Sequence, residues 1–581
     1  MVELQGIPVS PGVAIGPALV LDAAGYRIPR SLLLADKVDE EFARLRDAVD
    51  QVSKRLEASR FETTAVAGEQ TGDIFAAQLQ MLHDPRVQAD WRKRILEKRQ
   101  SAAYAVSRVL HTHAEAIRKL DSPLFAERAQ DVLDIEKQLL QALGAVPEGP
   151  LSDLSEPAIV LSHELTPSET ANLDRRYVRG FCTEVGGPGG HTAIVAKGLE
   201  LPAVVGIGNF LDSVGDNARI IIDGDRGRVI VDPDSNTIAS YEKRLQDRRT
   251  LTARLSELRD LPAETLDGTP TRLSANIEFP HETTTCIQRG ADGIGLYRTE
   301  FLYLASSVEP SEEDHYQAYS QVIREMEGRP VVIRTLDLGA DKIGHRPMVE
   351  RENNPFLGLR SIRLSLRNLD LFRPQLRAIL RAAVHGDVRV MFPLITTIAE
   401  YRQARMLLNV VSEDLQESGE DHRSDIPIGM MVEVPAAVMM LEKFIDEVDF
   451  LSIGTNDLAQ YTLAVDRSNE YVADLYQSSD PAVLRLIARC VEVASENDTP
   501  LSICGEMSSN PARALLLLGM GVRHLSVPPS SLLRVKKAIR SVSIEQCQQI
   551  ATRVMSLDAA RDVDLYLLDR LGEYVPELIV T

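Results

Sequence analysis

Between about residues 270 and 530 the chain repeats one pattern eight times: a short β-rich run, followed in most cases by a stretch in which apolar residues recur at three and four. The runs are RLSANI, GIGLYR, PVVIRTLD, VRVMFPL, IGMMVEV, DFLSIGT, PLSICGE and VRHLSV. Strands alternating with helices build parallel sheets, because a parallel neighbour is reached only through a crossover. Eight such units are what a (β/α)8 barrel requires. A doubly wound sheet is the other architecture open to this pattern, and the count of eight favours the barrel.

A chain of 581 residues is too long for one hydrophobic core, so further domains are expected. Residues 1–30 hold short apolar pieces broken by glycine and proline, and 146–235 alternate β-rich runs with a helical piece, so the two together predict one compact α/β unit. Residues 31–145 carry very little glycine and show helical periodicity in FARLRDAVDQVSKRL and DVLDIEKQLLQAL, which predicts an inserted helical bundle. Residues 236–262 are charged and helical without a wide apolar face, as in a linker helix, and 263–581 make up the barrel.

Several function classes are disfavoured. No run reaches the roughly 20 apolar residues of a membrane span. The start MVELQGIPVS lacks the basic and apolar parts of a signal peptide, so a cytoplasmic location and no membrane association are expected. Five scattered cysteines without CxxC spacing argue against disulfides or a zinc site, and a net charge of −21 argues against nucleic acid as a partner.

The polar residues of the eight runs gather where each strand stops: Asn276, Arg298, Arg334 with Asp337, Glu433, Asn456 with Asp457, and Cys504 with Glu506. In a barrel these ends form one rim, where active sites are built. Arg298, Arg334, Arg360, Arg363 and Arg467 can converge there on an anionic ligand, since guanidinium forks suit carboxylate and phosphate. Glu433 and Asp457 supply two hard oxygen ligands, the usual protein share for Mg2+. Taken singly, each of these residues is equally a structural ion pair; it is the set on one rim that points to a site. Cys504 alone reads either as a small hydrophobe or as a reactive thiol. His191 follows a glycine-rich turn in GGPGGHTAIVAKG, where free N–H groups at a helix start would stabilise a phosphoryl group on the ring; an ordinary histidine at a helix start has the same local pattern.

The motifs in order along the chain resemble Enzyme I of the phosphoenolpyruvate-dependent sugar phosphotransferase system. They run from GIPVSPGVAIGPALVL through ERAQDVLDIEKQLL, GGPGGHTAIVAKGLELPAVVG, GADGIGLYRTEFLYL, VIRTLDLGADK, NPFLGLRSIR and GMMVEVPAA to LSIGTNDLAQYTLAVDR and ICGEM. The resemblance implies a swivelling α/β phosphohistidine domain (1–30 and 146–235) with an inserted helical subdomain that docks the carrier protein HPr (31–145). It implies a phosphoenolpyruvate-binding barrel (263–581) through which the protein forms a homodimer. By the same resemblance His191 is the phosphorylated histidine, and Arg298, Arg334, Arg467 and Asn456 grip phosphoenolpyruvate, with Arg360 and Asp457 expected beside them. Glu433 and Asp457 hold Mg2+, and Cys504 is the acid that protonates the enolpyruvate carbon.

The sequence departs from the family pattern around the acceptor side. Gly189 and Gly190 stand where hydroxyl residues are usual before the histidine, and Lys197 replaces an arginine. Lost hydroxyl donors would weaken phosphohistidine stabilisation by about 1–2 kcal/mol each if buried. Gln78 and Leu133 in the docking helices replace an expected histidine and arginine. These departures raise an alternative, a regulatory phosphotransferase sensing nitrogen or carbon status through a different HPr-like acceptor. Phosphoenolpyruvate synthases and pyruvate phosphate dikinases need an ATP-binding domain for which this chain has no room, and an inert scaffold would not keep the barrel residues that chemistry requires.

Overall fold

Residues 1–21 form three strands, β1 (Val2–Gln5), β2 (Ile7–Ser10) and β3 (Val13–Leu21), and none of them pairs with another. Each is completed by strands far along the chain: β4 (Ala158–Ser162), β5 (Val178–Thr183), β6 (Ala203–Val205), β7 (Arg219–Asp223) and β8 (Arg228–Val231). The sheet order is β1-β8-β7-β3-β4-β5-β6-β2, with β3 parallel to β4 and antiparallel to β7. The computed structural model describes residues 1–21, 37–67, 75, 78–118, 123–144, 156–163, 165, 176–187, 196, 201–211, 214, 218–304, 309–339, 354–467, 469 and 472–579. Both faces of the sheet are covered. Val160, Phe181 and Val205 belong to one core, and Ile159, Ile220, Ile222 and Phe210 to another, which is why runs such as AIVLS are apolar throughout rather than alternating.

The parallel β3–β4 pair spans the helical insertion of α1 (Val38–Ala67), α2 (Pro85–Arg92), α3 (Ala102–Arg118) and α4 (Pro123–Ala142). Pro85 opens α2 at a position where its missing N–H costs nothing, and Asp84 caps it by accepting from the Arg86 N–H at 2.7 Å. Val52, Leu56, Trp91, Val106, Ile135 and Leu139 share one core of their own.

The chain divides into two compact units, Met1–Asp247 and Arg248–Thr581, and the boundary falls inside α5 (Ser235–Ser256). Within the first unit α5 is fixed by the buried Asp223, which accepts from Tyr241 Oη at 3.2 Å and Arg244 Nη1 at 2.8 Å. The helix opens into turns over residues 257–260. Pro262 follows shortly after and disfavours helical backbone in the residue before it.

In the second unit, strands β9 (Arg272–Ile277), β10 (Ile294–Arg298), β11 (Val331–Arg334), β12 (Val388–Phe392), β13 (Ile428–Val432), β14 (Phe450–Gly454), β15 (Leu501–Cys504) and β16 (His524–Val527) close into a barrel. All neighbours are parallel, and the β16–β9 pairing, with Val527 opposite Ala275, rules out the open doubly wound sheet. Outward residues such as Tyr297, Ile333, Val390 and Val432 join the large core beneath the helices. Inward residues Leu296, Val332, Met391, Met431, Phe450 and Cys504 form a separate small core inside the barrel.

One strand breaks the alternation. The register of β10 shifts between Ile294 and Tyr297 against β11 and between Ile294 and Leu296 against β9, and a Cβ on Gly295 would meet Ser526 Oγ and, at 3.0 Å, Ser274 Cβ. Gly295 and Leu296 therefore both face the interior, as a bulge allows, and Tyr297 returns to the outer core. Because no larger residue fits against Ser526, Gly295→Ala should cost about 1–3 kcal/mol by overpacking, read as a lowered midpoint of barrel unfolding in denaturant.

Candidate active site

The C-terminal rim of the barrel is held by a chain of alternating charges. Glu300 Oε1 accepts from Arg334 Nη2 at 2.8 Å, and Arg334 Nη1 reaches Asp337 Oδ2 at 2.9 Å. The other Asp337 oxygen takes Arg360 Nη2 at 2.8 Å, and the same nitrogen lies 3.1 Å from Asp457 Oδ2. Asp457 Oδ1 then takes Arg467 Nη2 at 3.2 Å. The side chains of all but Arg467 are largely inaccessible to solvent, so each charge is affordable only because it is paired and hydrogen-bonded. The electrostatic consequences agree: neighbouring carboxylates hold both Arg334 and Arg360 protonated well above the usual range, and the guanidiniums hold Asp337 ionised far below its own.

The strand ends bring most of the expected residues together. Arg298 pairs with Glu278 at 2.8 Å and stays about one-third exposed. Arg360 lies over the Phe356 ring and gives a further bond to Tyr461 Oη at 3.3 Å. Asn456, at the start of the helix Thr455–Leu463, accepts on Oδ1 from the Glu506 N–H at 3.0 Å. Asn276 is buried against Ser526 at the end of β9. Arg363 is not part of the set; its Nη1 turns to the carbonyl oxygens of Leu357 and Gly358. His191, with Gly189, Gly190 and Lys197, lies outside the described residues.

Glu433 is buried and accepts from the Leu394 N–H at 2.6 Å. Burial, and then the carboxylates of Asp337 and Asp457, push its carboxyl up to about 8. A Cβ on Gly454 would meet Glu433 Oε2 at 2.7 Å, so glycine at the end of β14 makes room for this carboxylate. Gly505, at φ +114°, does the same for the Thr455 and Asn456 side chains. Two bulky or hydroxyl residues beside the site, Leu394 (φ 51°) and Ser361 (φ 57°), adopt left-handed backbone. Ser361 is tied there by its N–H to the Leu338 carbonyl at 2.8 Å and Leu394 by its bond to Glu433, and strain of this kind persists only where the surroundings fix it. Among the described residues no three His, Cys, Asp or Glu side chains gather as a metal cluster.

Cys504 is buried; its thiol donates to the Ile453 carbonyl at 3.6 Å and accepts from Ser452 Oγ at 3.5 Å. Burial pushes the thiol above its ordinary value. Glu300 is the functional side chain that residue-by-residue reading missed. It sits in LYRTEF, beside Arg298, and the signal was the acid itself two residues past an arginine at a strand end. Arg334 keeps one uncommitted donor, a buried Nε–H with no partner among the described residues. The arrangement thus offers guanidinium donors, a spare buried N–H, two carboxylates for a hard cation and a protonated thiol on one rim.

Comparison with known proteins gives three matches to families of PEP-utilising enzymes: the PEP-binding domain over residues 252–544, the N-terminal domain over 5–128 and the mobile domain over 154–227. The chain is 40% identical over 565 residues to a phosphoenolpyruvate-protein phosphotransferase of Geobacillus stearothermophilus, covering 96% of each. It is 37% identical to that of Priestia megaterium over 561 residues, covering 97% of this chain and 98% of the relative.

The Glu433 carboxyl has a testable consequence. Its value rises from the ordinary 4.5 to about 8 on folding, so the native state holds a proton that the unfolded chain releases above pH 4.5. The stability this contributes is complete below about pH 4.5 and is lost as pH rises through 8. In cation-free buffer, Glu433→Gln should therefore gain on the unsubstituted protein between pH 6 and about 9, measured as the difference in unfolding midpoint across a pH series.

Proposed function

This chain belongs to the phosphoenolpyruvate-protein phosphotransferases, and on that premise we propose that it takes the phosphoryl group of phosphoenolpyruvate onto His191 and passes it to an HPr-like phosphocarrier as the first step of sugar uptake. The observation that carries the reading at residue level is Arg334: buried, held between Glu300 and Asp337, with an Nε–H still to give, unpartnered among the described residues. Arg298, Arg334, Arg360 and Arg467 bind the phosphate and carboxylate of phosphoenolpyruvate, with Asn456 and Asp457 completing the rim. The mobile α/β domain carries His191 between donor and acceptor.

The residues fit Mg2+. Glu433 and Asp457 are hard oxygen donors, and Glu433 is raised by burial and then by the carboxylates of Asp337 and Asp457, whose charge a cation would offset. When bound, Mg2+ offsets the charge that spreads over the transferring phosphoryl group. The chain's own residues do the rest. The arginines fix the phosphorus in line with a ring nitrogen of His191, the P–O bond breaks as the P–N bond forms, and the electron pair is left on the enolate of pyruvate. Cys504 gives its S–H proton to the terminal carbon, and the thiolate is left behind. A thiol raised by burial is protonated at neutral pH, as an acid must be.

The regulatory alternative raised by Gly189, Gly190 and Lys197 gains nothing from the comparisons. Gln78 is buried and donates to Asp134 Oδ2 at 3.0 Å, and the half-buried Leu133 packs against the same helical core. A cytoplasmic location suits the reading; among the described residues no helix is long and apolar enough to cross a membrane. Dimerisation through the barrel belongs to the same proposal.

Incubation with labelled phosphoenolpyruvate and Mg2+ should leave an acid-labile, base-stable label on the protein that His191→Ala abolishes. Cys504→Ala should keep phosphoenolpyruvate binding and lose pyruvate formation, and Arg334→Met should lower kcat/KM by about 100-fold or more. Wild-type labelling of His191→Ala would sink the assignment.

A further inference from the structure

We infer that Gln375 is a positioning residue for the substrate rim: its buried side-chain amide clips the end of β10 to the end of β11 and so sets Arg298 and Glu300 against Arg334 and Asp337. The inference rests on the reading above, that these side chains hold phosphoenolpyruvate. Gln375 lies on the helix Leu369–Ala382, in the run LFRPQLRAIL, outside every motif that carries the family resemblance.

The amide is fully inaccessible to solvent and every hydrogen bond it makes leads to the rim or its support. Its Oε1 accepts from the Leu336 N–H at 3.0 Å, between Arg334 and Asp337. Its Nε2 donates to Thr299 Oγ1 at 3.1 Å, between Arg298 and Glu300. Thr299 Oγ1 in turn donates to the Arg334 carbonyl at 2.9 Å. The same Nε2 donates to Tyr319 Oη at 3.1 Å, and Tyr319 lies 2.9 Å from His315 Nδ1, whose Nε2 is 3.1 Å from Tyr303 Oη.

An amide N–H can only donate, so Tyr319 Oη accepts from Gln375, while the direction of its bond with His315 depends on which ring nitrogen carries the proton. His315 is fully buried, and burial lowers it to about 4, so the ring stays neutral at working pH.

Packing alone does not explain the residue. Phe372, Leu376 and Ile379 on the same helix already supply apolar contact to the core, and a leucine at 375 would match them without a buried amide to satisfy. What the amide adds is a fixed distance between two strand ends whose side chains must meet one ligand. A small displacement of such groups costs far more in binding of the shared ligand than in stability.

The test is the phosphoenolpyruvate dependence of His191 labelling in the full-length protein with Mg2+. Gln375→Leu should raise the half-saturating phosphoenolpyruvate concentration about ten-fold or more, with a smaller change in maximal rate. Leu376→Val, a core substitution on the same helix, should lower the unfolding midpoint while leaving that concentration within about two-fold, since it removes packing and no hydrogen bond. Unchanged phosphoenolpyruvate dependence in a folded Gln375→Leu protein would overturn the inference, as would an equal rise in Leu376→Val. If Arg334→Met leaves the dependence unchanged, the substrate assignment itself fails and this inference goes with it.

Discussion

Six side chains in one unbroken series, Glu300, Arg334, Asp337, Arg360, Asp457 and Arg467, make the end of the barrel possible. An anionic ligand needs arginines, and arginines below the surface need partners before the ligand arrives. The carboxylates answer that need, and they also become the ligand's competitors: each arginine that turns to a phosphate must give up or share an acid. The series is balanced, three arginines to three acids. Glu433 stands outside it with no guanidinium bonded to it among the described residues, and burial, then the carboxylates of Asp337 and Asp457, push its carboxyl up to about 8. The rim as built has room for one more positive charge, and the chemistry of its oxygens specifies a hard one.

The barrel follows from the strands, and the site follows from their parity. Inward and outward residues alternate, so Glu433 and Cys504 reach the interior as the continuation of Met431 and Ser502 on their strands. On β10 plain alternation would misplace the series, and the bulge at Gly295 moves Arg298 back into step with Leu296. Gly454 and Gly505 are empty for the same purpose, one giving space to Glu433 and the other to Thr455 and Asn456. Glycines in these runs are thus part of the binding geometry rather than flexible joints.

Much of this was legible in the chain. Eight runs predicted eight strands, and the polar residues closing six of them marked the rim, because a strand end is where a buried run must stop being apolar. The pairing within the rim was not legible: nothing in NPFLGLRSIR says that Arg360 bonds to Asp337 and Asp457 while Arg363 turns to the carbonyls of Leu357 and Gly358. Those choices depend on the left-handed backbone at Ser361, which a serine does not advertise. Gln375 was invisible for a related reason. A lone polar residue in a helical run looks like a solvent-facing position until the fold buries it.

The departures from the family pattern now separate by physical kind. The barrel residues keep their charges and partners, so donor chemistry is constrained by electrostatics that tolerate little change. In the helical insertion, Gln78 keeps a hydrogen bond to Asp134, with Gln138 donating to the same oxygen at 3.2 Å, and Leu133 adds apolar area to the same core. An amide in place of an imidazole still donates, while a leucine in place of an arginine removes a charge that any nearby carrier would feel. The helical insertion and the barrel each have a core of their own, so a packing change at Gln78 or Leu133 falls within the core of the insertion.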